Sequence, residues 1–195
     1  MAPVMTTFTY LLQSGASLDR IGKHLDALSQ DERTAQTMAL SRGDQKKLFD
    51  LADPVITLDH LAPEGGTLHP IIHEGMNNQP AFRKFQKPCT RGLDGSVFGY
   101  NEGILRDVIG PGYFVARETG KDPRGHIVVD YFMCPAGEVP TGWPEIVPNS
   151  VGLQRFVFHR CRDYLRRVSR HVCIGKAYKD EQTVMGYFVL ARQGT

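Results

Sequence analysis

Five runs rich in aromatic and β-branched residues dominate the sequence after residue 96. Such residues favour extended backbone, and Gly, Pro and charged turn residues separate one run from the next. The runs cover residues 97–102, 113–118, 126–134, 172–178 and 184–192. We therefore predict a sheet of about five strands. The polar break at residues 179–182 predicts that the last two strands form an antiparallel hairpin.

The last run differs from the others because it is apolar on both faces. A strand of this kind is typical of a central position, with cover on each side of the sheet. The N-terminal helices are one candidate cover for the second face. A partly open cavity bordered by Tyr131 and Tyr187 is the alternative.

Three serines, Ser17, Ser29 and Ser41, recur every twelve residues, and each precedes a stretch compatible with a helix. A serine hydroxyl at this position accepts a hydrogen bond from one of the first backbone N–H groups of the helix. Ser29 with Glu32 has the spacing of a capping box, and Ser41 with Asp44 repeats it with a shorter acid. The pattern predicts an array of three short helices.

Residues 54–95 contain repeated prolines and glycines, which predicts a connecting region with at most one short helix and no long regular structure. Residues 153–168 place apolar residues at helical spacing, and arginines fall between them. This pattern predicts one long, basic, amphipathic helix that packs its apolar face on the sheet. Asp53-Pro54 marks the end of the N-terminal helices.

These elements together predict an α+β fold. It consists of a mainly antiparallel sheet of about five strands, the long helix packed on it, and the three preceding short helices. We place an N-terminal helical segment at residues 1–53 and an α+β domain at residues 54–195, the two forming one compact unit. At 195 residues the chain is long enough to bury a core without disulfides or a structural metal.

The compartment expected from the sequence is the cytoplasm. The first basic residue is Arg20, so the N-terminus lacks the pattern of a signal peptide. No apolar run approaches the ~20 residues that a membrane-spanning helix needs. The four cysteines include no C-x-x-C pair and are expected to be free thiols. We expect no membrane association, and the sequence indicates neither a cofactor nor an oligomeric state.

The expected function is that of a small-molecule-binding domain with a pocket for a partly apolar, anionic ligand. Arg160 and Arg167 lie at the edge of the predicted apolar stripe, and either a ligand or Asp130 would satisfy their guanidinium groups. Aromatic side chains would bury the apolar part of the ligand. The candidate ligand-binding residues are Arg160, Arg167, Asp130, Tyr131, Trp143 and Tyr187.

A second hypothesis is an interaction module for nucleic acid or an acidic protein. Residues 153–179 contain eight Lys or Arg and one acid, although the whole chain has a net charge of only +2. A solvated basic surface explains the same pattern, since arginines alone attract a polyanion without reading it. The candidate contacts are Arg155, Arg162, Arg166 and Arg170.

A third hypothesis is a metal-assisted enzyme that uses His69 and His73. If Pro70 begins a short helix, these histidines share one face, but no third ligand has a clear spacing. The sequence contains no G-x-G-x-x-G, G-x-x-x-x-G-K-[ST], G-x-S-x-G or H-E-x-x-H motif. The sequence predicts no catalytic residue.

Overall fold

The computed structural model describes residues 6–79 and 83–194. Four helices come first, followed by a 3₁₀ turn at Leu58–His60. Their bounds are α1 Phe8–Gln13, α2 Leu18–Ala27, α3 Gln30–Met38 and α4 Arg42–Leu51. Two further helices of four residues each interrupt the strands, α5 at Arg106–Ile109 and α6 at Gln154–Val157.

Eight antiparallel strands follow and close into a barrel. Each strand pairs with the next along the chain, and the last pairs with the first. Their bounds are β1 Ile71–Asn77, β2 Lys84–Arg91, β3 Val97–Gly99, β4 Phe114–Glu118, β5 Ile127–Asp130, β6 Cys161–Arg167, β7 Val172–Lys179 and β8 Thr183–Arg192. Closure leaves no unpaired sheet edge among these strands.

Alternation along β8 separates the two sides of the barrel wall. Val189 and Ala191 pack under the N-terminal helices with Phe8 and Leu48, whereas Phe188 and Leu190 belong to the core inside the barrel. The N-terminal helices therefore cover the outer face of the last strand, which explains why that strand is apolar on both sides.

The three serine caps are confirmed. The hydroxyl groups of Ser17, Ser29 and Ser41 accept hydrogen bonds at the starts of α2, α3 and α4. Capping boxes form with Glu32 and Asp44. Local side-chain chemistry determined these boundaries, so they were visible in the sequence.

The prediction of an α+β fold with about five strands is wrong, because the chain forms an eight-stranded barrel. Two of the missed strands, β1 and β2, lie in the segment interpreted as a connecting region. Gly75 and Pro88 lie inside them, and both residue types suggested breaks. In the barrel both residues lie within strands, where Gly75 pairs with Phe85 and Pro88 pairs with Ile72.

The prediction of a long, basic, amphipathic helix is also wrong. Residues 153–168 form the short helix α6 and then the strand β6. Along β6, Cys161 and Leu165 face the barrel core, and the intervening Arg162 forms ion pairs on the outer surface. Within residues 153–168, the short helix and the alternating strand together have the apolar spacing that is expected of one longer helix.

Candidate functional site

Inside the barrel, three glycines face aromatic rings of neighbouring strands. The cross-strand pairs are Gly75 with Phe85, Gly99 with Phe114, and Gly175 with Phe188. A Cβ added at Gly75 would lie 2.5 Å from Phe85 Cζ, and one added at Gly175 would overlap the ring of Phe188. The glycines thus provide the space for the tip of each ring.

These rings, together with that of Tyr131, surround the amine of Lys87. The distances from Lys87 Nζ to the ring centroids are 5.7 Å for Phe85, 4.8 Å for Phe114, 5.1 Å for Tyr131 and 5.3 Å for Phe188. We call these four rings the aromatic cage. A cation held at such distances from ring faces is stabilised by cation–π interaction, and more so where water is excluded.

The Lys87 amine also makes polar contacts. It donates hydrogen bonds to Asn101 Oδ1 at 2.9 Å and to the Tyr131 hydroxyl at 2.5 Å, and it lies 3.6 Å from Asp163 Oδ2. The Tyr131 hydroxyl is itself 3.3 Å from Asp163 Oδ2. We call Lys87, Asn101, Tyr131 and Asp163 the lysine cluster. It places one amine, one phenol and one carboxyl group within reach of each other.

Burial dominates the electrostatics of the lysine cluster. The Lys87 side chain is 2% exposed. Burial lowers the pKa of Lys87, against the opposing effect of the Asp163 charge. Burial likewise raises the pKa of Asp163, against the effect of Lys87, and raises that of Tyr131 well above its usual value. Each group is pushed towards its neutral form, so proton exchange between lysine and carboxylate costs less here than in water.

The lysine cluster lines a cavity of about 940 Å³. Apolar side chains make up most of its wall, and the lining extends from the buried cluster to the exposed residues Ile104 and Phe156 at its mouth. Ile104 is fully exposed and Phe156 is 67% exposed. Polar residues bordering the mouth include Arg83, Lys84 and Arg106. This volume lies within the range of about 300–1,000 Å³ that is typical of small-molecule pockets.

The opposite end of the barrel is closed by side chains. Ile56, Leu61 and Ala62, which flank the 3₁₀ turn, belong to the interior core. His73 is fully buried there, with Nδ1 3.1 Å from the carbonyl oxygen of Lys87 and Nε2 3.4 Å from that of His60. Burial lowers the pKa of His73 to about 4 and lowers that of His60 as well. Both imidazoles are therefore neutral at physiological pH.

Two of the six residues predicted to bind the ligand border the cavity. Tyr131 contributes its hydroxyl to the lysine cluster. Tyr187 borders the cavity, while its ring packs against Phe49 of α4 with the ring centroids 5.6 Å apart.

The other four residues lie elsewhere. Arg160 pairs with Asp180, and Arg167 pairs with Asp53. Asp130 is buried on the outer side of the wall and binds Arg117 and Arg162 rather than Arg160 or Arg167. Trp143 packs on aromatic rings outside the cavity, namely Phe98, Tyr100 and Tyr113.

The arginines proposed to contact nucleic acid do not form one helical face. Arg155 stacks over the Phe156 ring, and Arg162 pairs with both Asp130 and Glu181. Arg166 donates to backbone carbonyl groups, and the backbone of Arg170 is bound by Asp26.

The two histidines of the metal hypothesis are not brought together as ligands. His69 is exposed, whereas both ring nitrogens of the buried His73 face carbonyl oxygens. Within residues 6–79 and 83–194, no group of three or more His, Cys, Asp or Glu side chains is placed to hold a metal ion.

Sequence reasoning missed Lys87, Asn101, Asp163 and the phenylalanines of the cage. One signal was present, because Asp163 is the lone acid in a strongly basic segment. Treated as a strand, Cys161-Arg-Asp-Tyr-Leu165 places that acid on the same face as two core residues. A carboxylate on an apolar face predicts a buried cationic partner.

Neither a protein-family model, nor a curated protein, nor a solved structure matches this chain. Among the described residues, the helices are all too short or too polar to cross a membrane.

Proposed function

We propose that this barrel binds a small, mostly apolar molecule that carries one anionic group. The observation that carries the proposal is the cavity of about 940 Å³, which leads from an exposed apolar mouth to the aromatic cage and the lysine cluster. Apolar ligands gain about 25 cal/mol for each Å² of apolar surface that they remove from water. The interior walls supply that surface.

The charges of the site favour an anionic group at the mouth rather than at the base. Lys87 at the base already has a carboxylate partner in Asp163, so a second anion there would be buried without compensation. At the mouth, Arg83 and Lys84 are exposed, and within the described chain neither forms an ion pair. The proposal therefore places the apolar part inside and the anionic group beside these two cations. The four cysteines carry free thiols, which suits the reducing cytoplasm, and we propose that compartment.

Fluorescence titration with 1-anilinonaphthalene-8-sulfonate tests the proposal, because this probe combines apolar rings with one anionic group. Ala177 lines the cavity, and Ala177→Trp would fill part of it. We expect this variant to bind the probe at least about tenfold more weakly, a loss of about 1.4 kcal/mol. The matched control is Ala136→Trp, which makes the same change at an exposed position outside the cavity.

Both variants must first show wild-type circular dichroism and cooperative unfolding, because partly folded proteins also bind this probe. Replacing Arg83 and Lys84 by Gln should weaken probe binding, and the effect should be larger at low salt than at high salt. Equal affinity in the Ala177→Trp and Ala136→Trp variants would show that the probe binds outside the barrel, and would refute the proposal.

A further inference from the structure

The lysine cluster combines features that binding an apolar molecule does not require. A primary amine lies at the buried limit of an apolar cavity, with a carboxyl group and a phenol in contact with it. A purely apolar ligand would be served equally well by a hydrocarbon side chain, and a buried ion pair is weak evidence for stability. The amine, carboxyl and phenol groups are the set used in carbonyl chemistry.

We propose that the cavity captures apolar aldehydes by forming an imine between the aldehyde carbon and Lys87 Nζ. This inference rests on the proposed function, since the aldehyde must first enter the same cavity. To the proposed function it adds a reacting group, the Lys87 amine, and a class of uncharged ligand that uses the apolar part of the cavity. A lysine in a desolvated, apolar site is the residue type that forms Schiff bases with carbonyl substrates.

The charge balance of the cluster favours a neutral carbonyl group as the partner of Lys87. An added carboxylate would leave one uncompensated negative charge beside Asp163, whereas an aldehyde brings no charge. The product is an iminium cation in the position of the ammonium, so the charge pair with Asp163 is unchanged. The aromatic cage that surrounds the ammonium also surrounds the iminium.

The protons of the reaction are accounted for within the cluster. Lys87 first transfers one proton to Asp163, leaving a neutral amine and a carboxylic acid. The amine electron pair forms the C–N bond, and the carbonyl π pair moves to oxygen, which receives a proton from nitrogen through the Tyr131 hydroxyl. Asp163 then returns its proton to the carbinolamine hydroxyl. Water leaves, and the iminium–carboxylate pair remains, without any oxidant or reductant.

The described geometry assigns the positioning roles. Asn101 donates from Nδ2 to the carbonyl oxygen of Gly112, which orients its Oδ1 towards Lys87 Nζ. Capture leaves one N–H on the Lys87 nitrogen in place of three, so the iminium keeps only one of the hydrogen bonds that the ammonium donates to Asn101 and Tyr131. Cys161 also borders the cavity, but burial raises its pKa to about 11, so it is present as the thiol and not as the nucleophilic thiolate.

Reductive trapping with nonanal tests the inference. This saturated aldehyde does not alkylate thiols irreversibly, and sodium cyanoborohydride converts its imines into stable secondary amines. The trapped mass increment is that of the aldehyde less one oxygen atom. Peptide mapping then locates the label among Lys87 and the seven other lysines.

We expect Lys87 to be labelled at least about tenfold faster than Lys84 at pH 7, because burial lowers the pKa of Lys87 and the cavity holds the aldehyde next to its amine. Lys84 is the internal control, since it lies at the exposed mouth of the same cavity. The anilinonaphthalene probe should suppress this excess, because it occupies the same cavity. Tyr131→Phe should slow labelling of Lys87 without changing that of Lys84.

Displacement of the anilinonaphthalene probe by nonanal, without reductant, separates this inference from the proposed function. Displacement with labelling confined to surface lysines would overturn imine capture and leave ligand binding intact. Absence of both displacement and Lys87 labelling would also overturn imine capture, whereas the proposed function is overturned only if Ala177→Trp and Ala136→Trp bind the probe equally. These measurements use the wild-type protein, so the test does not depend on whether a variant folds.

Discussion

Lys87 and Asp163 place two ionisable groups inside a barrel whose other interior contacts are largely apolar. Taking such groups out of water costs several kcal/mol each, and only their mutual attraction and hydrogen bonds offset the cost. The pair therefore behaves as a unit. Loss of one member leaves the other charged or forces it into its neutral form.

This coupling predicts that a single substitution destabilises the fold more than the double substitution does. Lys87→Met should lower the free energy of unfolding by about 3–5 kcal/mol, because it leaves the Asp163 carboxylate without its cation. The double variant Lys87→Met/Asp163→Leu should recover most of that loss. Urea denaturation measures both values. A single variant that is as stable as wild type would mean that Asp163 does not depend on Lys87.

The lowered pKa of His73 predicts that the free energy of unfolding falls towards acid pH. Its pKa of about 4 in the folded chain is below the ordinary value of 6.5, so the unfolded chain binds the proton first. The contribution of neutral His73 to the free energy of unfolding is present above pH 6.5 and is lost as the pH falls towards 4. Between pH 7 and pH 5 the loss should be about 2 kcal/mol.

His60 contributes to the loss in the same direction, because its pKa is also lowered by burial beside His73 and Arg192. The variant His73→Gln isolates the first contribution. Its free energy of unfolding, measured across the same pH range, should fall by about 2 kcal/mol less than that of wild type. Equal falls in the two proteins would show that His73 does not titrate in this range.

At the scale of elements, the pairing of glycine with an aromatic ring defines the barrel interior. Each ring occupies the space that a side chain on the neighbouring strand would otherwise fill. The cost of filling that space depends on whether the ring is able to move. Phe188 is buried and packs against Phe85 with the ring centroids 6.0 Å apart, so little space for movement is present.

We therefore expect Gly175→Ala to destabilise the fold by about 1–3 kcal/mol, the usual cost of overpacking. It should also weaken probe binding, because the displaced Phe188 ring belongs to the cavity wall. Gly137→Ala is the control, since its added Cβ would meet no atom within 4 Å. Thermal unfolding measures the difference, and equal stability of the two variants would refute the packing argument.

The starts of α2, α3 and α4 were predictable from the sequence, and three of the eight strands were not. Ser29 and Glu32 contact each other within one turn, so their residue types alone identify the cap. The strand at Cys161–Arg167 gave no such local signal. Its alternation of core residues with arginines has meaning only when β5 and β7 lie on either side.

At the scale of the whole molecule, closure joins parts of the chain that are far apart in sequence. His73 of β1 lies opposite Arg192 of β8, and only this pairing converts a sheet into a barrel with an interior. Nothing local in either segment specifies the other as its partner. Although Asp163 carried a signal, the whole lysine cluster could not be predicted, since its members come from β2, β6 and the segments that follow β3 and β5.

Tyr131 was predicted at the site and lines the cavity, whereas Arg160 was misplaced. Tyr131 follows a strand that was recognised, and its aromatic body with a polar end suggested a cavity wall. Arg160 was placed by the pattern of a helix that does not form. It lies beside the start of β6, where it pairs with Asp180.

The most direct measurement is a crystal structure of the protein with 9-bromononanoate, in which anomalous scattering locates the bromine. Our account predicts one bromine inside the barrel next to the aromatic cage, with the carboxylate near Arg83 and Lys84. Bromine found only on the outer surface, with the cavity free of ligand, would contradict the account.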